Sequence, residues 1–91
     1  MDMFEKYEKM IKKGNTIKVL YDYFSYHYEY KNDFAMNNAK ELMDHLGIYF
    51  TNIDGTINKN SVWDYIASGT DTILFFFKNE EDFIYFKLKY C

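Results

Sequence analysis

Proline, arginine and glutamine are absent from these 91 residues, and only four glycines and one cysteine are present. The scarcity of proline and glycine leaves no linker or low-complexity tract, so residues 1–91 are expected to form a single domain. The lack of arginine removes the planar fork that reads guanine or clamps phosphate in two bonds, a geometry lysine cannot copy. An AT-rich coding sequence would give the same bias, being rich in Lys, Asn, Tyr, Phe and Ile. With a net charge of −3, the chain makes no strong electrostatic case for nucleic acid or an acidic membrane. A lone thiol, Cys91, cannot close an intramolecular disulfide, which excludes a disulfide-stapled secreted scaffold. Cys91 has none of the following residues that a prenylation box needs. "MDMFEKYEKMIKKG" carries no apolar signal-peptide core, and no apolar run approaches a membrane span. The expected compartment is the cytoplasm.

What the chain has is apolar surface: 48% of residues are hydrophobic and 22% aromatic. That is ample to offset the ordering entropy of folding, so disorder is excluded. Residues 2–13 read as a helix, with Phe4, Tyr7, Met10 and Ile11 at helical steps and Gly14-Asn15 as a stop. Residues 33–46 read as a second, with Asp33 as cap, a stripe of Met36, Ala39, Leu42, Met43 and Leu46, and Gly47 as terminator. "IYFTNI" (48–53) reads as a strand running into the turn dipeptide Asp54-Gly55. "NSVWDYIASG" (60–69) reads as a short helix with Ser61 as cap, Asp64 at the capping-box position, and Trp63 or Ile66 inward. "TILFFF" (72–77) has the continuous apolarity of a buried central strand.

Two segments admit both periods. "NEEDFIYFKLKY" (79–90) alternates as a strand with Ile84, Phe86, Leu88 and Tyr90 on one face. Asn79, three early acids and late lysines favour a helix instead. Residues 16–30 alternate through Ile17, Val19, Tyr21 and Tyr23, then switch parity to Phe24, Tyr26, Tyr28 and Tyr30. A β-bulge near Asp22–Phe24 would reconcile the halves. A helix would instead gather Lys18, Asp22, Ser25 and Glu29 on one stripe, but the residue types favour a long or broken strand. The resulting order is α+β, with a middle compatible with a ferredoxin-like βαββαβ core flanked by N- and C-terminal helices.

Motifs that suggest chemistry fall short on their own residues. "NIDGTI" (52–57) resembles the first motif of haloacid-dehalogenase-type phosphatases, but Asn52 stands where that family has its nucleophilic Asp. It also resembles part of an EF-hand loop, with Asn52, Asp54 and Gly55 in register, yet Phe50 and Ser61 occupy the first and twelfth positions. His27, His45 and Cys91 have no metal-site spacing. The acids at 80–82 read as a helix start, and no Gly-rich phosphate loop or nucleophile elbow occurs. The expectation is a non-enzymatic protein with no cofactor and no metal.

"YDYFSYHYEYKNDF" (21–34) remains, seven of its fourteen residues being Tyr or Phe. As structure, part of these rings fills the core and part lies on a sheet face with wet hydroxyls. As function, Tyr21, Tyr23, Tyr26, His27, Tyr28 and Tyr30 form a candidate binding surface, of which one strand parity at most can face a partner. Asp22, Glu29 and Asp33 supply an acidic rim, which favours a protein partner. Single-stranded RNA or DNA stacked on the tyrosines is the alternative, weakened because only Lys18 and Lys31 flank them. Homodimerisation, as in a homo-oligomeric structural protein, would use the same surface.

The ending "FFFKNEEDFIYFKLKY" (75–90) resembles the C-terminal pattern of small uncharacterised accessory proteins of tailed, T4-like bacteriophages. These close with an aromatic strand, an acidic turn and a Phe-Lys-Leu-aromatic tail; an alanine common after the turn is replaced here by Phe83-Ile84. The resemblance implies a phage or mobile-element accessory factor, acting in the host cytoplasm as an inhibitor or modulator of a host protein.

Overall fold

The structure, a computed structural model, describes residues 17–31, 35–52, 54–67 and 72–91. The chain is α+β. Its elements run α1 (Ile17–Tyr23), β1 (Tyr26–Lys31), α2 (Ala35–Leu46), β2 (Trp63–Ala67), β3 (Thr72–Phe77) and α3 (Glu80–Tyr90). The helix expected over residues 2–13 and the Asp33 cap lie outside the described residues.

The strands form one sheet in the order β1-β3-β2, both pairings antiparallel. β1 and β2 are therefore parallel to each other, with β3 inserted between them. That strand order is shared with the first three strands of a split βαβ arrangement. The fourth strand of a ferredoxin-like sheet is not present among the described residues, and residues 80–90 are helical.

β3 is buried at all six positions, as a central strand covered on both faces must be. Its alternation sends Ile73, Phe75 and Phe77 to one face and Leu74 and Phe76 to the other. The first face is covered by α2 and α3, through Ala39, Leu42 and Phe86. The second is covered by Leu20 of α1, by Phe24 just after it, and by Phe50 and Ile57 from the loop before β2. Burying each of Phe75, Phe76, Phe77 and Phe86 contributes about 1.5–3 kcal/mol, so aromatic packing dominates the stability.

Three local expectations are corrected. Within the segment 16–30, residues 17–30 are a helix followed by a strand, and the parity switch marks a change of period, not a bulge. Phe24 N–H donates the last helical bond to the Leu20 carbonyl at 2.9 Å, and extended structure begins two residues later. β-forming residues enter this helix because Leu20 and Phe24, one turn apart, both reach the core. Residues 60–69 contain strand β2 rather than a helix. Trp63 and Tyr65 face one core cluster and Ile66 the other, so apolar residues on both faces hide the alternation. Ser61 does not cap a helix; its hydroxyl donates to the Trp63 carbonyl at 2.8 Å. Of the strand expected over residues 48–53, the described residues 48–52 form no regular strand, only an isolated bridge between Thr51 and Ile57.

Other expectations hold. Asp54-Gly55 turns, with Gly55 at φ +86° and its N–H bonded to the Asn52 carbonyl at 3.0 Å. Gly47 ends α2 at φ +85°, its N–H on the Met43 carbonyl at 3.0 Å. In α3, Glu80, Glu81 and Asp82 occupy the first turn and Lys87 and Lys89 the last, matching the helix dipole. The helix turns Phe86 into the core and leaves Ile84 and Leu88 outside.

Candidate protein-binding surface

The two periods of the tyrosine segment distribute its rings over both sides of the sheet. β1 alternates half-buried and exposed from Tyr26 to Lys31. Tyr26, Tyr28 and Tyr30 take the face beneath α3. Tyr26 stacks on Phe83 at 5.4 Å, Tyr28 lies 6.0 Å from Phe86, and Tyr30 lies 5.7 Å from Phe86 and 6.2 Å from Phe75. The Lys87 ammonium sits 5.9 Å over the Tyr28 ring. A hydrogen bond with the Cys91 thiol, the main cause, holds the Tyr28 phenol above its ordinary range. These rings seat α3 on the sheet and offer solvent only their outer parts.

His27, Glu29 and Lys31 take the opposite face and are exposed. There Tyr21, on the outer side of α1, meets His27 edge-to-face at 4.8 Å and Phe76 at 5.2 Å. Tyr21 remains 42% exposed, so Phe76 and His27 fix its ring without covering it. Lys18 and Asp22, paired at 3.2 Å one helical turn apart, line the same helix. Tyr23 is separate: its ring lies 4.3 Å from Phe50 and its hydroxyl donates to the Lys59 carbonyl at 2.6 Å. Of the six residues expected to form the surface, the structure brings Tyr21 and His27 together. Tyr23 anchors a loop, and the other three support α3.

Sequence reasoning missed a cluster between α2 and α3. Tyr90 donates its hydroxyl to Glu41 at 2.5 Å, and Lys89 lies 3.5 Å from the same carboxylate. Lys89 also donates to the Tyr85 hydroxyl at 3.2 Å, and His45 stacks on Tyr85 at 4.6 Å. The Tyr90 hydrogen bond, ahead of the Lys89 charge, holds Glu41 below the usual carboxylate range. Burial and the bond to Glu41 push Tyr90 up to about 12. The four-residue spacings Glu41–His45 and Tyr85–Lys89 were a legible signal of two helical faces, but not that they meet.

A surface cleft of about 570 Å³ lies between the end of α2 and the start of β2. Exposed Ile48 borders it with Ile57, Asn58 and Val62. The loop that carries the phosphatase-like and calcium-loop-like residues turns its polar side chains on one another. Asp54 accepts from the Thr56 N–H at 2.9 Å and hydroxyl at 2.6 Å, and Asn58 donates to Asn52 at 2.7 Å. No group of three His, Cys, Asp or Glu able to hold a metal occurs among the described residues.

No family model, curated protein or solved structure matches the chain. Among the described residues no helix is long and apolar enough to cross a membrane.

Proposed function

We propose that the chain is a non-enzymatic binding protein that engages a protein partner through the Tyr21–His27 surface. The observation that carries this reading is a large ring held rigid while left 42% exposed. A tyrosine fixed by edge-to-face contacts has little conformational freedom left to lose on binding, the property that favours aromatic anchors at interface centres. Lys18, Asp22 and Glu29 supply a polar rim of mixed charge. The C-terminal pattern extends the reading to a phage or mobile-element accessory factor that modulates a host protein in the host cytoplasm.

Tyr21→Ala is the test, with tagged chain used to capture partners from bacterial lysate before and after nuclease treatment. The reading requires a stoichiometric, nuclease-resistant partner that Tyr21→Ala loses while the domain stays folded. Capture that survives Tyr21→Ala overturns the site, and capture abolished by nuclease transfers the role to single-stranded nucleic acid. Tyr26→Ala or Tyr28→Ala would instead disturb the seat of α3, so these variants report on the fold.

A further inference from the structure

The two edges of the sheet are treated differently. On the outer side of β2, Phe50 N–H donates to the Trp63 carbonyl at 3.0 Å, and the Asp64 carboxylate takes both the N–H and the hydroxyl of Thr51. Nothing among the described residues bonds to the outer backbone groups of Tyr26–Lys31. Open edges are commonly blunted by proline, a bulge or an inward charge. β1 has none of these three, although it carries the exposed charges Glu29 and Lys31. The chain contains no proline, the register runs unbroken from Tyr26↔Phe77 to Lys31↔Thr72, and the covered face carries only tyrosines. In a split βαβ arrangement this is the side where a fourth strand belongs.

We propose that the fourth strand is β1 of a second copy, the two strands pairing antiparallel about a two-fold axis at Tyr28. A two-fold axis normal to the sheet keeps each side chain on its own face, so each residue must oppose one of its own parity. In a six-residue strand the two central choices are Tyr28 and Glu29. An axis at Glu29 would set the two Glu29 carboxylates against each other, and His27 against Lys31 on both flanks. An axis at Tyr28 sets His27 against Glu29 of the second copy, twice, with Tyr26 against Tyr30 on the other face. Aromatic cross-strand pairs stabilise and an imidazole N–H can donate to a facing carboxylate, whereas like charges directly opposite destabilise, so the side chains select Tyr28. Two half-exposed tyrosine rows then become one continuous row under two α3 helices. The dimer stands independently of the partner reading of Tyr21, but it places two Tyr21–His27 pairs on one side of a six-stranded sheet.

Sedimentation or light scattering of the purified chain tests this. The mass should rise with concentration to about twice the 11.1 kDa of one chain. His27→Glu, which opposes carboxylate to carboxylate at two places, should weaken association about tenfold or more. The exchange His27→Glu with Glu29→His should restore it. Both positions are exposed, and the fluorescence of Trp63 verifies that each variant folds. A chain that stays monomeric up to about 1 mM overturns the dimer. Association unchanged or strengthened by His27→Glu overturns the register at Tyr28. Tyr21→Ala leaves these edge residues in place and should retain the dimer even where it loses a partner, so the two ideas fail separately.

Discussion

Thr51→Val should be among the more costly conservative substitutions in this chain. Thr51 and Asp64 are both buried, and the threonine hydroxyl donates to Asp64 Oδ2 at 2.7 Å while the Thr51 N–H donates to the same oxygen at 3.2 Å. Asp64 Oδ1 accepts from the Tyr65 N–H at 2.7 Å. The carboxylate thus ties the loop before β2 to the outer side of that strand. Valine matches threonine in shape but puts a methyl group against the carboxylate, so the loss is a hydrogen bond to a charged group, about 1.5–3 kcal/mol. Thr51→Ser keeps the hydroxyl and loses one methyl, about 0.8 kcal/mol. The expected order of stability is Thr, then Ser, then Val. Urea unfolding followed by the fluorescence of Trp63 reads this directly, because it is the only tryptophan and is fully buried in β2. With a slope of about 1.5 kcal/mol/M, the valine variant should lose about 1–2 M in its midpoint at unchanged slope. A valine variant as stable as the serine variant would refute the role given to this bond.

Phe86→Ala should cost about 3–5 kcal/mol, because its ring touches Tyr28, Tyr30, Phe75, Phe77 and Tyr90 and no solvent. Calorimetry should show a large fall in melting temperature; a small one would mean α3 is not docked by this ring. Tyr90→Phe should flatten the pH dependence of stability at both ends. Glu41 is held below its ordinary range in the fold, so its contribution is present above that range and lost as pH falls through the folded value. Tyr90 is held up to about 12, so its contribution is present below the ordinary phenol range and lost as pH rises through that value. Carbon-detected NMR titration should find Glu41 moved back up toward the usual carboxylate range in the variant, and no movement would refute the coupling.

Legibility followed how far a local pattern determined its own environment. β3 could be read because six consecutive apolar residues admit few other places than the centre of a sheet. α3 could be read because its charges follow the helix dipole, although its apolar spacing does not. β2 was misread for the opposite reason. Burial on both faces removed the alternation, and buried Asp64 lay where a capping-box acid would lie. The α1–β1 junction needed tertiary information, since Ile17, Val19, Tyr21 and Tyr23 favour a strand until Leu20 and Phe24 find the sheet. For the candidate surface, parity correctly divided His27 from Tyr26, Tyr28 and Tyr30. Which of those faces a helix would cover depends on where α3 returns, some fifty residues later, and no local signal carries that.

The insertion of β3 between its two neighbours also constrains the order of events in folding. β1 and β2 pair with β3 and not with each other, and the β1 partners run from Lys31↔Thr72 to Tyr26↔Phe77. Until residues 72–77 emerge, neither earlier strand has a sheet to join. A fragment stopping before Thr72 would hold two strands as strangers, with Tyr26, Tyr28, Trp63 and Tyr65 all denied their neighbours. Residues 63–67 and 72–77 are close in sequence and can pair first, whereas joining β1 means closing the long loop from Lys31 to Thr72, so the entry of β1 should be the slow, entropically costly step.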